Sequence, residues 1–256
     1  MKRVVVFLIL AAFVFATVFW GMARNTDVTL INARAIPLDD QNKRFVVTFD
    51  IQNDGPAKTI TNLKSASAEM VRVMNPGHES AQIVIPANST GFFAMDGAHV
   101  MLMTPQAPFE PGASVPLTLE FAEYAEVTTR VLNVGGEMGM DGMDHDMTQG
   151  IQAETSPKIT LSTADGFDET GADISVNVEN FSFVRAADNA PHVPNQGHGH
   201  IYLNGLKIGR LYAPNFSLNA LPAGSYNLIV TLNSNTHQPY VRGGSLVQDT
   251  LSFIIQ

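Results

Sequence analysis

The fold is decided by one stretch of alternating side chains, Phe45-Val46-Val47-Thr48-Phe49-Asp50-Ile51-Gln52, which ends at the turn Asn53-Asp54-Gly55-Pro56. An apolar residue at every second position is typical of a β-strand that buries one face. The same pattern returns at residues 115–121 after the turn Pro111-Gly112. No stretch beyond residue 27 shows a long apolar period of about 3.6 residues. The sequence therefore predicts a small β-sandwich or barrel over residues 27–134.

A second set of strand signals begins at Ile159. Residues 174–178 alternate again, and Asn204-Gly205 lies between two short apolar runs. This dipeptide is the strongest two-residue hairpin signal. We expect residues 156–256 to form a second all-β domain, without a convincing sequence repeat between the two. The predicted fold class is all-β, with two β-sandwich domains.

Residues 135–155 are predicted to be the linker between these domains. The part from residue 135 to 147 holds four glycines and four methionines, Met138, Met140, Met143 and Met147, around His145. Methionines that are exposed in a glycine-rich segment bury nothing, so core packing does not explain them. Low-affinity copper capture explains them better, and a hydrated acidic spacer is the alternative.

The N-terminus predicts export. Lys2 and Arg3 precede an apolar run from Val4 to Trp20, and Gly21-Met22-Ala23 offers small residues at the positions of a cleavage site. This arrangement over residues 1–23 is typical of a secretory signal peptide. The apolar run approaches the ~20 residues of a membrane span, so retention as an uncleaved N-terminal anchor is the alternative. We expect contact with a membrane only through such an anchor.

Charge and composition exclude several classes of function. The net charge of −9 argues against a nucleic-acid partner, because phosphate binding requires clustered Lys and Arg. The absence of cysteine excludes disulfides, thiolate zinc sites and a cysteine ligand for copper. The sequence lacks a Gly-X-Ser-X-Gly nucleophile elbow, a His-Glu-X-X-His helix and a phosphate-binding loop, so we do not expect an enzyme.

The segment Gly97-Ala98-His99-Val100-Met101-Leu102-Met103 is the most informative part of the first domain. On a strand, His99, Met101 and Met103 share one face, and Val100 and Leu102 share the other. An imidazole presented together with thioethers suits soft, monovalent copper. The alternative is that the methionines fill the core, as methionine commonly does.

This segment, followed by residues 109–112 and 115–121, resembles the periplasmic copper chaperone family PCu(A)C, as does the strand and turn over residues 49–55. The resemblance covers roughly residues 27–134. It implies a cupredoxin-like β-sandwich that binds Cu(I) at an exposed His/Met site. It also implies a periplasmic location and delivery of copper to an accepting protein such as a cytochrome c oxidase subunit.

The resemblance carries His99 and Met101 over directly as copper ligands, with Met103 lining the site. The upstream half departs from the family pattern. Met74 stands where the family has a histidine, and His78 lies near the position of the family's methionine. We predict that Met74 and His78 complete the Cu(I) site with their roles exchanged. The alternative is that the upstream half has decayed and that His78 is an ordinary loop residue.

The second domain offers a histidine-only cluster. His198 and His200 share one strand face, and His237 lies in a turn segment, with His192 as a fourth candidate. Imidazoles without a thioether suit divalent copper better than monovalent copper. We therefore predict a separate Cu(II) site at His198, His200 and His237. The alternative is that His198 and His200 are hydrogen-bonded residues that fix a loop.

Together these observations favour a periplasmic copper chaperone. A copper scavenging or storage protein, which keeps the metal, is the second hypothesis. A structural or adhesive tandem β-sandwich with incidental His and Met residues is the third. Copper binding separates the third hypothesis from the others, and copper transfer separates the first from the second.

Overall fold

The computed structural model describes residues 27–38, 43–122, 125–136, 150–187 and 190–256. These residues form β-strands and no helix, so the predicted all-β class is confirmed for them. No helix within these ranges is long and apolar enough to cross a membrane. The predicted signal segment 1–23 and the methionines of the predicted linker lie outside the described residues.

The strands are β1 (Val28–Pro37), β2 (Arg44–Asn53), β3 (Lys58–Lys64), β4 (Ala68–Met74), β5 (Ile83–Ile85), β6 (Ser89–Phe93), β7 (His99–Pro105), β8 (Ser114–Phe121), β9 (Val127–Asn133), β10 (Ile151–Gln152), β11 (Lys158–Ser162), β12 (Gly171–Glu179), β13 (Ser182–Phe183), β14 (Gln196–Leu203), β15 (Leu206–Leu211), β16 (Asn215–Asn219), β17 (Gly224–Ser234), β18 (Tyr240–Arg242), β19 (Ser245–Leu246) and β20 (Gln248–Ile255).

The first region, residues 27–136, is organised around β2. Along one edge β2 pairs with β1, and along the other it pairs first with β7 and then with β6. Its alternating residues Phe45, Val47, Phe49 and Ile51 are all buried, as the sequence predicts. The strands β9, β8, β3 and β5 extend the sheet beyond β1, and β4 pairs with β7.

The second region, residues 150–256, is organised around β17, which pairs with β14 on one side and β20 on the other. The predicted hairpin joins β14 to β15. Asn204 (φ 50°) and Gly205 (φ 83°) both adopt the left-handed conformation that a type I′ turn requires. A separate sheet of β11, β12 and β16 shares a core with these strands.

The second region begins earlier than the sequence predicts. Residues 151 and 152 form β10, which pairs in parallel with Tyr240 and Val241 of β18. A strand of two residues has no recognisable alternation, so its sequence carries no strand signal. The end of the predicted linker 135–155 is therefore part of the second region.

The two regions are packed against each other. Lys207 of β15 pairs with Phe92 of β6, which joins the main sheets of both regions. Leu206 is fully buried in the core of the first region, although it belongs to the hairpin of the second. Gly91 makes this possible, because a Cβ there would lie 2.9 Å from the Leu206 side chain. The two regions therefore share a core contact and a continuous sheet.

Polar contacts reinforce this interface. The buried Asn75 side chain donates to the carbonyl of Asn204 at 2.9 Å and to that of His78 at 3.0 Å. Asn219 donates to the carbonyl of Ala87 at 2.8 Å. A buried amide that loses such partners costs about 1–3 kcal/mol. These contacts fix the loops after β4 and β5 against the second region.

Candidate metal centres

Strands β4 and β7 place the first candidate site. Their antiparallel register sets Met74 opposite His99 and Arg72 opposite Met101. Residues that are directly opposite on paired strands point to the same face, with Cβ atoms about 4.5–5.5 Å apart. Val100 and Leu102 are fully buried on the other face, while His99 and Met101 are half-buried. The predicted alternation is therefore present.

His99 is oriented by its own chain. Its Nδ1 lies 3.0 Å from the carbonyl oxygen of Gly97. Since a carbonyl only accepts, Nδ1 carries the proton and donates, which leaves the lone pair of Nε2 available to a metal. A hydrogen bond of this kind is the usual means by which a protein fixes the tautomer of a ligating histidine.

His99 and Met101 line a cavity of about 350 Å³. The first region also contributes His78 and Met95 to this cavity, so two imidazoles and two thioethers face one space. The opposite wall comes from the second region, through Tyr202, Gly205, Ile229, Thr231 and Gln248. The site is therefore not open in the way that the resemblance implies, because the second region packs over it.

The two predicted upstream ligands, Met74 and His78, line different cavities. His78 lines the same cavity as His99. Met74 lies across the strand pair from His99, is 37% exposed, and lines a neighbouring cavity with Arg72 and Asn75. The ligation of copper by Met74 and His78 stays a prediction.

Met95 is the residue that sequence analysis missed. It lies in the turn between β6 and β7, where no strand alternation points to a shared face. Its only signal in the sequence is that it precedes His99 by one short turn, Asp96-Gly97-Ala98. The turn is docked on the β14–β15 hairpin, since Ala98 donates to the carbonyl of Gly205 at 3.0 Å.

The second candidate site is a cluster of three imidazoles in the second region. His198 and His200 on β14 and His237 after β17 each offer a ring nitrogen, and these nitrogens all lie within 4.8 Å of one another. His198 and His200 are buried, whereas His237 is exposed. The structure thus brings together the three histidines named from the sequence. His192 lies elsewhere, 6.0 Å from the ring of Tyr240 between centroids.

The backbone at His237 is unusual. Its φ of 66° is in the left-handed region, which most residues with a Cβ avoid. The turn is held by a hydrogen bond from His237 N to the carbonyl of Ser234 at 3.0 Å and by one from the Asn233 side chain to the carbonyl of His237 at 3.1 Å. Histidine is among the residues that tolerate this conformation, and the turn holds its ring 4.8 Å from that of His198 between centroids.

His200 connects the cluster to the first region. Its Nε2 lies 2.9 Å from Nε2 of His198, and its Nδ1 lies 2.9 Å from the Asp96 carboxylate. Asp96 also accepts from Lys207 Nζ at 2.6 Å and from the Tyr202 hydroxyl at 3.1 Å. Asp96 follows Met95 in the same turn, so one turn of the first region serves both sites.

Burial and neighbouring charges determine the protonation of His198, His200 and Asp96. Burial lowers the pKa of His198 to about 3, with the neighbouring charges of His200 and His237 adding to the effect. Burial also lowers the pKa of His200 to about 4, although the hydrogen bond to Asp96 opposes it. Burial alone would raise the pKa of Asp96, but the His200 hydrogen bond and the Lys207 charge outweigh it and hold that pKa well below its ordinary value. At neutral pH the carboxylate is charged and both buried imidazoles are neutral, which is the state that binds metals.

The first region matches a known protein family. Residues 28–134 match the model of the LpqE-like lipoprotein family. The resemblance to PCu(A)C domains predicted for residues 27–134 is thereby confirmed for this region. No curated protein has a significantly similar sequence.

Three solved structures show a distant likeness to this chain. A copper-bound PCuAC domain from PmoF2 has 19% identity and a TM-score of 0.39, over 43% of this chain and 94% of that chain. Cu(I)-DR1885 from Deinococcus radiodurans has 20% identity and a TM-score of 0.34, over 42% and 76%. Fibronectin(III)-like modules of Clostridium thermocellum CbhA have 9% identity and a TM-score of 0.26, over 90% and 94%. These scores are too low to support a functional assignment, which has to rest on the chemistry of the sites.

Proposed function

We propose that the chain is an exported copper chaperone that binds Cu(I) at His99 and Met101 and delivers it to a copper-accepting protein. One observation carries this proposal. Two imidazoles and two thioethers, those of His78, His99, Met95 and Met101, line a single cavity in a chain that has no cysteine.

Ligand chemistry selects the metal. Thioether sulfur is a soft, neutral ligand that favours Cu(I), whereas Mg²⁺ and Ca²⁺ prefer oxygen and structural zinc sites commonly use thiolates. Methionine also avoids the oxidation to disulfides that a cysteine ligand would undergo outside the cytoplasm. A His/Met site therefore suits monovalent copper in an exported protein.

The cavity also explains why these methionines are not core filler. From β7, the core of the first region takes Val100 and Leu102, which lie on the opposite face of the strand and are fully buried. Met95 and Met101 are only half-buried and face the cavity instead. This lining supports the proposal that their thioethers take part in copper binding.

We assign the central positions to His99 and Met101, with His78 and Met95 completing the set from inside the cavity. Met74 keeps a role on the outer side, where its exposed thioether lies opposite His99. An exposed sulfur beside a more enclosed site offers copper an intermediate position on its way to a partner.

The acceptor is proposed by analogy. The PCu(A)C resemblance suggests a copper-accepting domain such as that of a cytochrome c oxidase subunit, in the periplasm. The apolar segment at residues 4–20 and the match to a lipoprotein family model both support export. A scavenging or storage role is the second candidate, supported by the methionine-rich segment over residues 138–147.

Transfer separates the two roles. The Cu(I)-loaded full chain is mixed under anaerobic conditions with an apo copper-accepting oxidase domain, and copper in each protein is measured after separation. A chaperone passes its Cu(I) to the acceptor within minutes. Retention of all copper by the donor, at acceptor concentrations well above its own, would leave storage as the function.

We expect Met95→Leu to weaken Cu(I) binding by about 10-fold, the low end of the range for an outer partner, because Met95 supplements the two central ligands His99 and Met101. Leucine conserves the volume and removes the sulfur, so folding should be little affected. Chelator competition titrations measure the change. Met103→Leu is the matched control, because Met103 is half-buried like Met95 but lies on β7 and does not line the cavity. Equal affinities of the Met95 variant and the wild type would remove Met95 from the site.

A further inference from the structure

The histidine cluster of the second region is built like a metal site of a different kind, and its geometry does not depend on Cu(I) binding in the cavity. We propose that His198, His200 and His237 bind a divalent ion, copper in preference to zinc, and that Asp96 of the first region is the outer carboxylate that orients His200. Two regions of the chain would then share one metal centre.

The spacing of the nitrogens fits an ion. Metal–imidazole bonds of about 2.0–2.1 Å set ligand nitrogens roughly 3.4 Å apart around one ion. The cluster brackets this value, with His198 and His200 at 2.9 Å and all three nitrogens within 4.8 Å. Small rotations of the rings are enough to reach coordination distances, and His237 is on the exposed side where an ion would enter.

The hydrogen bond between His200 and Asp96 is the second observation that supports a metal site. A carboxylate only accepts hydrogen bonds, so at 2.9 Å from Asp96 the Nδ1 of His200 must carry its proton. Nε2 then presents its lone pair to the other histidines. Metal-ligating histidines commonly donate their other nitrogen to a carboxylate in this way, which fixes the ring and raises its basicity.

A simple structural role explains less of the geometry. A hydrogen bond between His198 and His200 accounts for that pair, in which one Nε2 carries the proton that a metal would displace. It does not account for a third imidazole held over the pair from a left-handed backbone position. It also does not account for a carboxylate from another region aimed at His200.

The charges beside the cluster are mixed. Nζ of Lys207 lies 3.1 Å from Nδ1 and 3.4 Å from Nε2 of His200, and Arg210 adds a second positive charge that acts on both buried histidines. The Asp96 carboxylate lies 2.6 Å from Nζ of Lys207 and offsets one of these charges. Imidazole ligands suit Cu(II) and Zn(II), and copper is the more strongly bound of the two in such sites.

The test is Cu(II) titration of the full chain at neutral pH, followed by electron paramagnetic resonance with zinc as competitor. We expect one Cu(II) with nitrogen hyperfine coupling in the wild type. His237→Asn should abolish that signal, since asparagine tolerates the left-handed backbone and offers no imidazole. Asp96→Asn should weaken binding by about 10–100-fold, the usual cost of losing an outer partner.

His192→Asn is the matched control, because it removes a histidine of the same region that lies outside the cluster. It should leave the signal unchanged. A nitrogen-coupled signal that survives in His237→Asn, or that is equally lost in His192→Asn, would overturn the assignment of the site. Unchanged affinity in Asp96→Asn would overturn the role of the carboxylate.

Discussion

His99→Ala is expected to lower the Cu(I) affinity of the chain by about 100-fold or more. A lost outer partner typically costs 10–100-fold in metal affinity, and a direct ligand costs at least the upper end of that range. The Nε2 of His99 is available to a metal, because its Nδ1 donates to the Gly97 carbonyl. Met101→Ala should show a loss of similar size. Anaerobic competition with a Cu(I) chelator measures both.

Met103→Ala provides the comparison, since Met103 shares the strand face of His99 and Met101 but lies beyond the cavity. Its affinity should stay close to that of the wild type. If His99→Ala binds Cu(I) as tightly as Met103→Ala does, copper is held elsewhere, and the methionine-rich segment becomes the first place to look.

Leu206→Ala is expected to lower the free energy of unfolding by about 2–5 kcal/mol, the range for a buried leucine whose loss leaves a cavity. Leu206 is fully buried, and it packs in the core of the first region although it belongs to the second. Urea unfolding measures this loss of stability, because the midpoint and the slope of the transition together give the free energy of unfolding. We expect a single unfolding transition for both regions, because they share this core contact and a continuous sheet.

Leu132→Ala is the control for Leu206. Leu132 is 44% exposed on β9, so its substitution should change the free energy of unfolding by no more than about 0.5 kcal/mol. A Leu206→Ala chain as stable as the Leu132 variant, or two separate transitions in the wild type, would mean that the two regions fold independently.

Local features were predictable from the sequence. Alternation identified the strand of Phe45, Val47, Phe49 and Ile51, and all four side chains are buried. The dipeptide Asn204-Gly205 identified the hairpin, because few other residues adopt its two left-handed conformations. Alternation also set His99 and Met101 on one face and His198 and His200 on another. Each of these patterns is contained within a few consecutive residues.

Contacts between distant parts of the chain were not predictable. In the sequence, Leu206 is an ordinary apolar residue of a hairpin. Its neighbouring residues do not indicate that it packs in the core of the first region. Asp96 reads as a turn residue, and its hydrogen bond to His200 depends on how the β14–β15 hairpin docks. The enclosure of the His99 cavity follows from the same docking. Periodicity reports which face of a strand is buried, but not what covers it.

Candidate site residues in turns were the hardest to predict from the sequence. Met95 sits between two strands, so no period associates it with His99. His237 was named only because it lies in a turn that could reach the β14 histidines. Its left-handed backbone, which makes its role specific, is visible only in the structure. The proposed ligands Met74 and His78 remain predictions, since register and cavity lining show proximity and not coordination.

X-ray absorption at the copper edge of the chain loaded with one equivalent of Cu(I) tests whether His99 and Met101 bind the metal. We expect a coordination shell that contains both histidine nitrogen and thioether sulfur. The sulfur contribution should fall in Met101→Leu, and the nitrogen contribution should fall in His99→Ala. A coordination shell without sulfur, or one that neither substitution changes, would contradict copper binding at His99 and Met101.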